Sequence, residues 1–572
     1  MRIFTRGEKR GLTLIMSGLI VCSLLDALTI ALMAPFTMLL MNPDALFDNQ
    51  ILRTLYDFIR CESSERFLAL FSIAISLLFL VRGVLRFAIQ RYQAISIGRY
   101  RASLSNRLFR SIIMRPYRYH VTHTNAQLQQ LLTMQTDGVF TMLDSILLSL
   151  SAVSVILCIV VVLLMTNWVV TLSIMLLLTG ILIFSNSYIK KTIQKNADDY
   201  NGAYHGMIQW IYQSLGAIKD IIAKRRQAHF INEYTDQARS TAQAYAKYKT
   251  WEAAPKFIIE TFSMVIIFAA VAVVIGTGKN ALVYLPLFAT FALAATRLIP
   301  LFNQMSSTVN YITFYRPSLN ALDQALQEDP QTPSLPELAQ DFAAPHQKPL
   351  SDAIQLQNVC FSFDDSSKPL LEDVTFTIRK GESVAIVGSS GSGKTTLANL
   401  LLGLYKPERG EITADGINIH QNPTWWARTV GSIPQFIYLC DDSIRINVAF
   451  GEKPEQIDDE KVWDCLRQAQ LKDFVQSLPD GLRTNLGENG VRLSGGQRQR
   501  MGIARALYFD PDFLVMDEAT SSLDTETEDA IIESVNMLAG KKTLLIIAHR
   551  LSTIQGCNRI YRVDQGRVYR ER

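Results

Sequence analysis

Long apolar runs dominate the first half of the chain. The first continues through Ala34 to Met41, and others follow near residues 67–90, 145–166, 168–186, 257–277 and 281–305. Each can fill a bilayer core, which needs about 20 helical residues, so the pattern predicts six transmembrane helices. The basic start MRIFTRGEKRG resembles a signal peptide, but its apolar run is far longer than a signal peptide's core and reads as an uncleaved first span. Arg2, Arg6, Lys9 and Arg10 precede that span, and residues 91–118 hold Arg99, Arg101, Arg107, Arg110 and Arg115 with no acid, which places both ends in the cytoplasm. The segments between spans 2 and 3 and between spans 4 and 5 are long, polar and helical in pattern, so those helices continue into the cytosol. Outside, DNQILRTLYDFIR sets Ile51, Leu52, Leu55, Phe58 and Ile59 on one face of an amphipathic helix, which either covers the span ends or meets substrate.

After Gln327 the pattern stops. EDPQTPSLPELAQDFAAPHQKPL is proline-rich without apolar periodicity, a linker over 328–352. Beyond it short β-rich runs alternate with helical ones, as in an α/β domain with a largely parallel sheet. The expected division is a transmembrane domain at 1–327, the linker, and a nucleotide-binding domain at 353–572.

Composition narrows this little. The 572 residues carry a net charge of +4, which gives no reason to expect a nucleic-acid partner. The seven cysteines show no CxxC or zinc spacing, which argues against a disulfide framework or a metal–thiolate site.

The chemistry lies in the second half. VAIVGSSGSGKTTLANLLLG holds a complete P-loop, Gly388, Ser389, Ser390, Gly391, Ser392, Gly393, Lys394 and Thr395, after a predicted strand and before a helix, with Thr396 a further candidate for binding ATP. Its glycines let backbone N–H groups surround phosphate oxygens, Lys394 brings a cation to the β- and γ-phosphates, and the Thr395 hydroxyl can ligate Mg²⁺. FLVMDEAT ends a buried strand in two acids: Asp517 suits the Mg²⁺ shell, and Glu518 can polarise an attacking water. ATP and Mg²⁺ are therefore the expected cofactors.

Between these motifs VRLSGGQRQRMGIARAL closely resembles the signature of ABC ATPases. Ser494, Gly495, Gly496 and Gln497 begin a helix whose N-terminus favours an anion. In that family the anion is the γ-phosphate held by the opposite subunit, so the resemblance implies a homodimer. It further implies that Phe363 stacks on adenine in place of the usual Tyr, that Gln435 senses Mg²⁺, that SSLD at 521–524 is an inter-subunit loop, that His549 contacts the γ-phosphate, and that Glu488 lies in a loop touching the cytosolic helices. Six spans ahead of the ATPase resemble exporter half-transporters of the bacterial cytoplasmic membrane, whose coupling helices would be the segments at 116–125 and 216–226. FIYLCDDSIRINVAFG and the outer amphipathic helix resemble, more narrowly, the flippase of lipid-linked oligosaccharides in bacterial N-glycosylation. That implies a polyprenyl-pyrophosphate glycan as cargo; the rival within transport is a lipid A, phospholipid or drug exporter.

SLLFLVRGVLRFAIQ carries two arginines inside an apolar run. At about 1.5 Å per residue Arg82 lies roughly 22 Å down the second span, in the cytoplasmic third of the bilayer. Arg297 reaches a similar depth on the sixth span, and Lys256 stands at the base of the fifth. Arg86 lies one turn below Arg82. These four cations either snorkel to lipid phosphates or form a belt that holds an anionic head group.

Overall fold

The structure, a computed structural model, describes residues 3–41, 56–57, 63–166, 168–276, 281–327, 349–363, 369–487, 490–517, 525–548 and 554–572. It divides into two compact units: Met1–Arg115 with Thr122–Thr332, and Pro116–Val121 with Pro333–Arg572. Glu488, Glu518, the 521–524 loop, His549, most of the amphipathic segment at 48–60 and most of the linker lie outside the described residues.

The first unit is helical. Long helices run at α1 (Arg6–Met41), α2 (Ser64–Ile113), α5 (Thr136–Thr166), α6 (Trp168–Gly216), α8 (Gln227–Gly276) and α9 (Ala281–Gln327). Short ones, α3 (Tyr117–Thr122, which up to Val121 belongs to the second unit), α4 (Asn125–Gln130) and α7 (Ile218–Ala223), break the polar stretches between them. Both expected coupling segments thus contain a six-residue helix. Among the described residues two stretches, Glu65–Ile113 and Asn125–Val161, are long and apolar enough to cross a membrane. On α2 the exposed Ile73, Leu77, Leu80, Val84 and Phe87 recur at helical spacing, a stripe suited to hydrocarbon rather than water. Val155, Ile159 and Leu163 of α5 bury against Leu298 and Phe302 of α9, and six residues along each helix the Ser149 hydroxyl donates to Thr308 at 2.5 Å. In lipid such small polar contacts tie helices together where burial of apolar surface no longer discriminates.

The second unit is α/β. One antiparallel sheet has the order β2-β1-β4-β5, from β1 (Ala353–Phe361), β2 (Leu371–Arg379), β4 (Arg409–Ala414) and β5 (Ile417–Asn418). The larger sheet runs β10-β9-β3-β8-β7-β6, from β3 (Ser383–Gly388), β6 (Val430–Ile433), β7 (Phe513–Asp517), β8 (Thr543–Ile547), β9 (Arg559–Asp564) and β10 (Arg567–Arg570). It is parallel except for its β9–β10 edge. Strands β3, β7 and β8 are almost wholly buried because both faces of a parallel sheet are covered, which is why they read as unbroken apolar runs.

Candidate functional site

In an open parallel sheet ligands bind beyond the carboxyl ends of the strands. Three neighbouring strands end together there: β3 runs into the P-loop, β7 ends in Asp517, and β8 leads towards His549. Gly388 closes the first turn. A Cβ there would stand 2.4 Å from the Val563 carbonyl oxygen and 2.8 Å from Ser392 Oγ, so only glycine fits. Gly391 and Gly393 take φ of +79° and +105°, left-handed values that aim successive N–H groups to one side and cap the helix Lys394–Leu401. Ser389, Ser390 and Gly391 are exposed at the rim, whereas Lys394 is buried and its ammonium donates to the Gly388 and Ser389 carbonyls at 3.0 and 2.8 Å. The cation is thus held inside the loop that would receive the phosphates. Thr395 is exposed at the helix start, and Thr396 is buried beneath it. Two hard oxygen donors, the Thr395 hydroxyl and the Asp517 carboxylate, suit Mg²⁺.

Phe363 is 41% exposed. Its ring stands edge-on to Phe361 and Tyr405 at 5.3 and 5.7 Å, an orientation that leaves ring surface for a planar base. Ser494 is an exposed N-cap of the signature helix Gly495–Tyr508: its hydroxyl accepts from Gln497 N at 3.2 Å, and Gln497 Oε1 accepts from Ser494 N at 2.9 Å. This capping box gives Gln497 a structural task beside any ligand contact.

The same helix grips the segment after the exposed Gln435. Gln499 donates to the Pro434 carbonyl at 3.5 Å, and Arg505 donates to Tyr438 O at 2.6 Å and Asn447 O at 2.8 Å. Asn447 is fully buried. Its amide donates to the carbonyls of Cys440, Asp442 and Ser443, and its oxygen accepts from Cys440 N and Arg505. A Cβ on Gly502 would come within 2.3 Å of Ile437 Cδ1, so this glycine lets the loop lie against the helix. Sequence reasoning missed this clamp; its signal was two polar residues within otherwise apolar spacing.

In the helical unit Arg82 Nε donates to Asp26 of α1, and Arg86 approaches the other oxygen of that carboxylate at 3.5 Å. Asp26 is the partner that the reading of the arginines overlooked, although a lone acid in VCSLLDALTI was visible. Arg82 is therefore not the uncompensated cation expected from the sequence. Arg86 keeps a 61% exposed side chain, and Lys256 is exposed. The structure pairs Arg82 with Arg86; the side chain of Arg297 is not described.

The transmembrane-region model of ABC transporters matches residues 13–297, and the ABC transporter ATPase model matches 371–521. An ATP-dependent lipid A-core flippase of Saccharophagus degradans is 31% identical over 410 residues, 71% of this chain and 67% of that protein. The chain belongs to the ABC transporter family. A flippase of the same description from Bordetella avium is 36% identical over 301 residues, 52% of this chain, and the match spans 50% of that relative's length. A bacterial Atm1-family ABC exporter solved with ATP bound superposes with a TM-score of 0.75 at 23% identity, covering 98% of this chain and 94% of that one, which establishes the exporter fold. The second unit of this ABC transporter is its ATPase domain, and the P-loop, Asp517 and signature helix occupy it as described.

Proposed function

We propose that the chain is one half of a homodimeric, ATP-driven flippase that moves an anionic glycolipid outward across a bacterial cytoplasmic membrane, with lipid A-core as the first substrate class. The observation that carries this reading is the S. degradans match, which is longer than either domain and so joins parts of both. The relatives' names favour lipid A-core over the polyprenyl-pyrophosphate oligosaccharide implied by the narrower resemblance; the two share an anionic head and a glycan.

In this reading all six long helices cross the membrane. ATP sits between the P-loop of one copy and Ser494, Gly495 and Gly496 of the other, with Phe363 against adenine. Lys394 and the loop amides bind phosphate, Gln435 and His549 contact the γ-phosphate region, and Glu518 takes the proton of the attacking water. Mg²⁺, held by Thr395, Gln435 and Asp517, supplies charge neutralisation when bound. Arg86, Lys256 and Arg297 meet the lipid phosphates, and Arg82 supports Arg86 by sharing Asp26.

The test is reconstitution in proteoliposomes with fluorescent lipid A-core. Wild-type protein is expected to move it with ATP, and Glu518→Gln to lower turnover by orders of magnitude while ATP still binds. Normal turnover in that variant would remove Glu518 from its role. An ATP-hydrolysing protein that leaves the lipid in the inner leaflet would overturn the lipid substrate.

A further inference from the structure

Four helices of the first unit line a half-open cavity of about 310 Å³. Five rings line it: Tyr200 and Tyr204 of α6, Tyr245 of α8, and Phe314 and Tyr315 of α9. They form one connected wall, with Tyr200 at 5.9 Å from Tyr204, 5.8 Å from Tyr245 and 5.7 Å from Phe314, and Tyr315 edge-on to Phe314 at 4.9 Å. The facing wall contains a π-helical turn, Leu131–Gln135, which brings Thr133 to the cavity. Such turns widen a helix locally and recur at functional sites. Gly138 follows on α5. A Cβ there would stand 2.4 Å from Tyr315 Cδ1, so the glycine lets that ring lie against the helix.

The lining selects among ligands. An organic cation is disfavoured, because the one acid in the wall, Asp137, already pairs with Arg101, and the Lys249 ammonium stands 5.9 Å from the Tyr245 ring. An anion is disfavoured because, among the described residues, no basic side chain lines the cavity and the two cations nearby are already paired, Arg101 with Asp137 and Lys249 with Glu252. A lipid tail is disfavoured because Thr133, Asn201, Ser318 and four phenols face it. Burial, with neighbouring tyrosines adding to it, pushes the phenols of Tyr200 and Tyr315 up, so they stay protonated and able to donate. Among the described residues none of the four cavity phenols has a protein hydrogen-bond partner. Aromatic faces beside neutral hydroxyl and amide groups match a sugar ring, with C–H faces to stack and hydroxyls to donate and accept. The volume lies at the small end of the roughly 300–1,000 Å³ usual for ligand sites, enough for a sugar and not for a whole glycolipid.

We infer that this cavity binds a neutral saccharide unit of the transported glycolipid while its lipid is in the inner leaflet. The position agrees: Tyr200, Tyr245 and Tyr315 lie about 10 to 14 residues beyond the apolar runs of their helices, roughly 15–21 Å into the cytosol at 1.5 Å per residue. A glycan hanging from an inner-leaflet lipid reaches that level. The origin of the sugar rests on the flippase reading above; the existence of the site does not.

The experiment therefore has two arms, both on the full chain. In proteoliposomes, transport of lipid A bearing its core oligosaccharide is compared with transport of lipid A lacking it, for wild type, Tyr245→Leu and Tyr245→Phe. Tyr245→Leu is expected to lower the ratio of the two rates about tenfold, the size of one lost stacking contact, and Tyr245→Phe to keep most of it. In the second arm free core oligosaccharide is titrated against detergent-solubilised protein by intrinsic fluorescence, with saturable binding expected in wild type and about tenfold weaker binding in Tyr245→Leu. If wild type moves neither lipid yet binds the oligosaccharide through Tyr245, the flippase reading fails and the saccharide site stands. An unchanged rate ratio together with equal binding by Tyr245→Leu would overturn the site.

Discussion

Asp26 shows what one residue decides. It is buried on α1 with Arg82 and Arg86 reaching it from α2, so a single carboxylate neutralises one guanidinium and holds a second nearby. Removing one member of such a pair leaves a charge without compensation in a low-dielectric setting, which costs more than removing both. Asp26→Asn should lower the stability of the solubilised chain by about 3 kcal/mol, and Asp26→Leu with Arg82→Leu should recover most of that. Thermal unfolding of the two variants checks this; a double variant less stable than the single one would contradict the pairing. In the other unit Asp415 accepts from Ser351 N and Oγ at 2.7 and 2.8 Å, from Asp352 N at 2.7 Å and from Ala353 N at 3.2 Å, tying down the entry to β1. Partial burial opposes the charge, but these donors outweigh it and hold the carboxyl below its ordinary range. A depressed folded pKa means stability present above the unfolded value, near 3.8, and lost as pH falls through the lower folded value. Asp415→Asn should thus cost about 1 kcal/mol at neutral pH, and the cost should shrink as the pH is lowered below about 3.8, measured by denaturant unfolding across pH.

At the scale of elements, β3, β7 and the signature helix were legible because their patterns are local: four apolar residues before Gly388, four before Asp517, and the signature stretch that starts at Ser494. The loop from Pro434 to Asn447 was not, since its shape is set by hydrogen bonds to Gln499 and Arg505, about 60 residues later in the chain. The π turn at Leu131–Gln135 and the tyrosine cavity were hidden for a similar reason: three separate helices supply the rings, and no one segment announces them. Because Arg505 serves both Tyr438 O and Asn447, Arg505→Ala should loosen the whole loop. Amide hydrogen exchange over residues 436–447 is expected to rise about five- to thirtyfold, the effect of losing about one to two kcal/mol of local support, while β3 keeps its protection. Uniform acceleration across the domain would indicate global destabilisation instead.

For the molecule as a whole, Ser494 is exposed at its helix end and lies in a different motif from Lys394, which is what a site completed by a second copy requires. Subunits carrying Lys394→Ala mixed with subunits carrying Ser494→Arg should regain partial ATPase activity that neither variant shows alone; full ATPase activity from isolated monomers would exclude the shared site. The outline of two domains could be read from where apolar runs give way to the proline-rich stretch, but the membership of Pro116–Val121 could not, because it depends on packing rather than order along the chain. Those six residues belong to the second compact unit, where the Tyr117 ring meets Tyr405 at 5.6 Å. This has a consequence for biosynthesis. Tyr405 leaves the ribosome about 290 residues after Tyr117, an interval of roughly 15 to 60 s at about 5–20 residues per second. Throughout that time the helix Tyr117–Thr122 is already made while its docking surface does not yet exist, so in nascent chains it remains open to proteases and chaperones until the ATPase domain has been translated and folded.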